Sequence, residues 1–278
     1  MSGNQILLHL EEPNNLRETE ICSALIELSK REIKEEIDWN QHEWIQNTLD
    51  HLLNHLDSFS PASVSYVTLG LFRLKINRQE IWDKLEHVVA KTMHKFTAKG
   101  FGYVYISFLE ANQGTQEFKE TLASRLPIHI HKMNQQLIAK CFEQTVENKL
   151  MNDHLFDNHF HILFWRRLQW FGAQYPTIIN GMVQLQYKDD KEFWEDSFLP
   201  AIRKIKFQDE EQISELLSSL QNLEMSLGIK VEQHVKYLEE QLEYIQTQGK
   251  ALENAKFYNI VMNDIAYYQQ KQSLQQQQ

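Results

Sequence analysis

Five prolines and nine glycines in 278 residues are too few turn-formers for a β-rich fold, whose many reversals draw on both. The two cysteines, Cys22 and Cys141, are too few and too far apart for a disulfide framework. Each sits among apolar residues of helical pattern, so both read as small core residues in a reducing compartment. No stretch approaches the ~18 uninterrupted apolar residues that a membrane span needs. The richest run, His161 to Phe171, is broken by Arg166 and Arg167 and reads as a buried helix. The first residues carry Glu11 and Glu12 and no early Lys or Arg, which matches neither a secretory signal nor a basic transit peptide. A phosphate-cradling Gly-rich loop, a nucleophile elbow and a Cys-x-x-Cys pair are all missing, so the sequence points to a non-catalytic chain without a cofactor.

What is present is a period. Phe59, Phe96, Met133, Trp170, Phe207 and Tyr244 fall at equal steps of 37, and all six are large and apolar. A second series, Glu43, Glu80 and Glu117, keeps the same step of 37, each glutamate followed by a bulky residue: Trp44, Ile81 or Phe118. A fixed period of this size marks stacked repeats, each too small to bury its own apolar face alone.

Each period reads as two helices. The first begins after the aromatic anchor: Ser60 is an N-cap, Pro61 takes the first helical position, and Val64, Val67 and Leu71 follow at helical spacing. Phe101, Val104 and Phe108 occupy those offsets in the next copy, then Leu137, Cys141 and Phe142. The second helix is expected to start at Asn40, Asn77 and Gly114, three residues before the repeated glutamates, as a capping box. Its core would be Trp44, Leu49, Leu52, Leu53 and Leu56, then Ile81, Leu85, Val88 and Val89, then Phe118, Leu122 and Leu126.

The pattern loosens at both ends, as capping repeats do. The expected organisation is one helical-repeat domain, 1–268, with an N-terminal cap at 16–57, regular repeats at 58–207 and capping helices at 208–268. Within the last part, 209–227 is a helix and Val231, Val235, Leu238, Leu242 and Ile245 form the narrow seam of a coiled-coil-like pair ending at Gly249. A last helix over about 251–268 folds back, and 269–278, mostly Gln, forms a disordered tail. The fold class is therefore all-α: an α-solenoid of about five to six paired-helix repeats with a C-terminal helical pair.

Charge is uneven. The chain carries −10 overall, with twelve acidic against four basic side chains in 1–57 and nine against two in 207–244. Residues 58–99 reverse the balance with seven basic against three acidic. Such a chain does not bind polyanions indiscriminately, but a local basic patch can meet one. Histidines offer two metal-like spacings. His51 and His55 lie one turn apart, but Leu52 takes the place of the general-base glutamate of a zinc helix. His154, Asp157 and His161 share a helix face. Twelve histidines on helices generate such spacings readily, and both groups read first as surface or capping side chains.

The step of 37, the units 59–95 and 96–132 and the bulky residue opening each second helix resemble the paired-helix repeats of the heptatricopeptide and octotricopeptide type, related to those of FAST-kinase-like mitochondrial proteins. The likeness covers about residues 40–207, and no C-terminal RAP-like segment follows. The resemblance implies an α-solenoid, an organellar location (mitochondrial, against cytoplasmic otherwise) and RNA binding or membership of an organellar ribonucleoprotein particle. The departure is charge. Candidate RNA contacts are confined to Arg73, Lys75, Arg78, Lys91, Lys95 and Lys99, to Arg166 and Arg167, and to Arg203, Lys204 and Lys206. The expected protein is a scaffold subunit of a large mitochondrial assembly, the ribosome first, holding protein subunits with its acidic ends and touching ribosomal RNA locally, with no DNA partner and no membrane span. The alternatives are an accessory subunit of a respiratory-chain or ATP synthase complex, and a metal-dependent enzyme using His154, Asp157 and His161.

Overall fold

The computed structural model describes residues 16–30, 38–158, 174–188, 190, 192–205, 207 and 209–247. Every regular element among them is helical, and none is long and apolar enough to cross a membrane. The chain divides into two compact units, Met1–Gln169 and Trp170–Gln278.

The first unit holds α1 (Glu18–Ser29), α2 (Glu43–His55), α3 (Pro61–Arg73), α4 (Gln79–Thr92), α5 (Ala98–Glu110), α6 (Gln116–Ile130) and α7 (Gln135–Glu147), with helical residues again at 153–158. Packing follows a rule of two. Helix α3 lies against α1, α5 against α3 and α7 against α5, while α4 packs on α2. The expected first-helix residues are buried, Val64, Val67 and Leu71 as well as Phe101, Val104 and Phe108, with Leu137, Cys141 and Phe142 beside them. Gly70 shows how close the approach is: a Cβ there would stand 2.8 Å from Leu25 Cβ.

The helix ends repeat as the sequence does. After each first helix one residue takes a left-handed backbone: Lys75, Asn112, Lys149 and Gln186, with φ of 55°, 51°, 56° and 54°. The amide of the next residue donates back across the turn, Ile76 to Leu71 O, Gln113 to Phe108 O, Leu150 to Thr145 O and Tyr187 to Met182 O, at 2.9–3.1 Å. This is the Schellman closure, which satisfies carbonyls that a helix C-terminus leaves without partners. It recurs every 37 residues, including in the second unit. Tryptophan completes it twice: Trp82 Nε1 donates to Ile76 O at 2.9 Å and Trp194 Nε1 to Tyr187 O at 3.0 Å.

First-helix N-termini are equally regular. Ser60, Thr97 and Asn134 accept from the amides of Ser63, Gly100 and Leu137 at 3.2, 3.1 and 2.9 Å. The anchors Phe59, Phe96 and Met133 stand just before them, buried in the turns between repeats. Trp170 lies outside the described residues, Phe207 is half-buried, and Tyr244 breaks the series by being 61% exposed on a helical stretch, 232–247.

Second-helix starts differ from expectation. The caps are His42, Arg78 and Thr115, one or two residues later than Asn40, Asn77 and Gly114. Gly114 is left-handed at φ +80°, and the hydroxyl of Thr115 accepts from Phe118 N instead. Asn40 bridges to the following turn: its Oδ1 accepts from Asn77 N at 2.9 Å and its Nδ2 donates to Lys75 O at 3.1 Å. The glutamates consequently fall in the first turn, where they offset the helix dipole and close no capping box. The shifted start also buries Ile45 fully, beside the expected Leu49 and Leu52, and leaves Trp44 and Leu53 half-buried.

The second unit contains α8 (Tyr175–Gln184), a π-helical stretch (Glu192–Phe198), a single turn (Leu199–Ala201), α9 (Glu210–Leu227) and helical residues 232–247. Tyr175, Phe193, Trp194 and Phe198 make its aromatic core, and α8 packs on α9. Asp209 caps α9, accepting from Gln212 N at 2.9 Å, and Gly228 at φ +71° ends it. Of the expected seam, Val231 and Leu238 are fully buried, while Val235, Leu242 and Ile245 are half-buried. Gln246 Nε2 reaches Glu210 at 3.1 Å, so the stretch runs back along α9. Gly249, the helix expected over 251–268 and the tail 269–278 lie outside the described residues.

Candidate interaction surface

Two kinds of helix end alternate in the first unit. Helices α2, α4 and α6 begin with Glu43, Glu80 and Glu117, whose charges offset the positive end of the dipole. Helices α3, α5 and α7 have no acidic residue in the first turn. Their own caps, Ser60, Thr97 and Asn134, are neutral and follow the turns between repeats, although at α3 the Glu18 carboxylate of α1 accepts from Ser60 N at 2.9 Å.

The cations predicted from sequence fall into distinct groups. Arg73 and Lys75 are exposed at the α3–α4 turn, whereas Lys91, Lys95 and Lys99 surround the α4–α5 turn. The length of a 13-residue helix, about 20 Å, separates the two ends. Arg78 does not join either group. It pairs with Asp50 at 2.6 Å and Glu80 at 3.0 Å, and these carboxylates, Asp50 first, raise its pKa further. Lys84 is likewise bound to Asp57. Lys132, one step of 37 beyond Lys95, is exposed on the same edge and was missed by reading charge blocks. The repeat period was the signal that could have found it.

Arg203 and Lys204 are exposed in the second unit, where Arg203 donates to Gln233 at 3.3 Å and its carbonyl accepts from the Tyr237 hydroxyl. Arg166, Arg167 and Lys206 lie outside the described residues. So does His161, while His154 and Asp157 are exposed. No three metal-binding side chains converge among the described residues. His51 and His55 do meet, with ring centroids 4.4 Å apart, and burial followed by the neighbouring imidazole lowers the pKa of His51.

An aromatic feature escaped the sequence reading. Tyr66 and Tyr103, equivalent residues of successive repeats, bring their rings to 5.9 Å, and Lys99 Nζ stands 5.6 Å from the Tyr103 centroid. Tyr66 also lines an open cleft of 340 Å3 between α1 and α3, with the hydroxyls of Ser23, Ser60 and Ser63 around it. Cys22 borders the same cleft, but burial pushes its thiol up to about 11. Burial raises Cys141 as well, so neither cysteine is a thiolate near neutrality.

No protein-family model matches this chain, and no curated protein matches it either. Function therefore rests on the surface itself: a neutral-capped, lysine-bearing edge, two ring faces beside a polar cleft, and acidic helices in the second unit.

Proposed function

We propose that this chain is a non-catalytic α-solenoid of paired-helix repeats serving as a scaffold subunit of a large assembly. The observation that carries the reading is the left-handed turn closed by the same backbone bond at Lys75, Asn112, Lys149 and Gln186. One local device at one interval, with α3 on α1, α5 on α3 and α7 on α5 in the first unit, is how repeat arrays present a long docking surface. The net charge of −10 and the commitment of Arg78 and Lys84 to neighbouring carboxylates favour protein contacts over extensive tracking of nucleic acid. RNA contact is assigned to the edge bearing Lys91, Lys95, Lys99 and Lys132. The resemblance to heptatricopeptide and octotricopeptide repeats directs the choice of assembly to mitochondrial particles, the ribosome first.

Sedimentation of lysate from cells expressing the tagged chain tests this reading. Co-migration with ribosomal particles, shifted by ribonuclease, is the expected result. Migration with a respiratory or ATP-synthesising complex would replace the ribosomal assignment, and recovery only as a free small protein would remove the scaffold role.

A further inference from the structure

We infer that Tyr66, Tyr103, Lys99 and the cleft between α1 and α3 hold one nucleotide of a single-stranded nucleic acid, the base against the tyrosines and its phosphate at Lys99. The inference deepens the local RNA contact proposed above and rests on that reading.

Lys99 is hard to explain by folding alone. It stands in the first turn of α5, where the helix dipole disfavours a cation. The equivalent residues one repeat away on either side are Ala62 and Gln136, so the repeat itself does not require a charge there. Among the described residues no carboxylate pairs with Lys99. Its neighbours are rings, and Tyr103 followed by Tyr66 raises its pKa, so the ammonium stays charged. Lys91 and Lys95 have a structural cause that Lys99 lacks, since they lie at the C-terminal end of α4, where cations offset the dipole.

Tyr66 is 38% exposed on a helix that is otherwise mostly buried. The third repeat has Lys140 at the equivalent place, bound to Glu143 at 2.5 Å, so the ring pair is confined to α3 and α5. One exposed ring, Tyr66, against a half-buried one, Tyr103, beside an unneutralised cation suits a planar heterocycle with an anionic tail. The cleft adds edge recognition. Ser60 Oγ accepts from Ser63 N at 3.2 Å and donates to Ser63 Oγ at 3.0 Å, and Ser23 Oγ donates to Thr19 O at 2.8 Å, which leaves one lone pair on Ser60 Oγ and those of Ser23 Oγ for base amino and imino groups. Glu27, which also lines the cleft, is held by Lys30 at 2.7 Å and is thereby partly neutralised toward a phosphate. An acidic peptide can use the cation and the hydroxyls but brings no planar heterocycle to the rings, and a nucleotide uses all three.

The test is fluorescence anisotropy of the full chain with short labelled oligouridylate and oligoadenylate at low salt. Tyr66→Ala and Lys99→Glu are expected to weaken binding about tenfold, Tyr66→Phe by no more than about twofold, and Arg73→Glu, at the far end of α3, hardly at all. Thermal melting of every variant establishes folding, and Lys99→Gln replaces any variant that does not fold. Unchanged binding by the folded Tyr66→Ala or Lys99→Glu chain, or no binding by the natural chain, overturns the inference. So does competition by a free mononucleotide at equal affinity, which would make that the occupant, or preferential displacement by polyglutamate. Sedimentation of the same variants separates the two readings: loss of oligonucleotide with retained particle association supports both, whereas particle association without any oligonucleotide binding leaves only the scaffold.

Discussion

Lys75 and Lys149 hold a left-handed backbone that costs a residue with a Cβ about 1–2 kcal/mol. Glycine removes that strain but adds about 0.5–1 kcal/mol of unfolded-state entropy. Lys75→Gly and Lys149→Gly are therefore expected to stabilise the chain by about 0.5–1 kcal/mol each in urea unfolding, and Asn112→Gly by less, because Asn adopts this conformation readily. Asn112 has a further role, since the buried Lys119 donates to its Oδ1 at 2.7 Å. Lys119 occupies the place where the neighbouring repeats have Trp82 and Phe156, and burial lowers its pKa. His129 is a titrating residue of the same kind. It stacks on Phe101 at 4.3 Å and 12°, and burial followed by Lys132 lowers its pKa. The folded chain then prefers neutral imidazole, while the unfolded chain takes up a proton as pH falls through about 6.5. Stability is present above that pH and is lost below it, down to the folded pKa. The Tm should fall from about pH 7.5 to about pH 5.5, and His129→Phe, which keeps the ring stack, should make the fall smaller. His51 and His234, lowered mainly by burial, account for the remainder.

At the scale of the element, the caps decide where each helix begins. Thr97 and Asn134 each satisfy one amide that would otherwise lack a partner, and Thr97→Ala or Asn134→Ala is expected to cost about 1 kcal/mol of stability by denaturant titration. Glu43→Gln should cost less, because it removes only a dipole interaction of about 0.3–1 kcal/mol. The first-helix starts were legible because Ser60-Pro61 combines a cap with a fixed φ. The second-helix starts were not, because Asn40 and Asn77 look like caps in isolation. Asn40 is drawn away by two backbone groups 35 and 37 residues further on, a competition that no local window contains.

At the scale of the molecule, charge is organised by edges and not by blocks. Sequence position placed Arg73, Lys75 and Arg78 in one patch with Lys91, Lys95 and Lys99; folding put the first two at the opposite end of α3 and bound Arg78 to Asp50 and Glu80. If four lysines, Lys91, Lys95, Lys99 and Lys132, each neutralise one phosphate, the slope of log binding constant against log salt is about −3 for a single strand. Lys95→Glu combined with Lys132→Glu should bring it to about −1.5 or shallower, measured by anisotropy across a salt series.

What the amino-acid order determined alone is what depends on neighbours: the helical class, the interval of 37, the buried anchors Phe59, Phe96 and Met133, and the first-helix caps. Backbone sterics and the burial of one face act within a few residues, so a repeated string repeats them. Only the tertiary structure decided which cations remain unpaired and which rings meet. Asp50 and Arg78, or Tyr66 and Tyr103, are distant in the chain and come together because one helix lies against another. Charge screening and ring contact operate over a few ångströms of space, a distance that sequence separation does not measure.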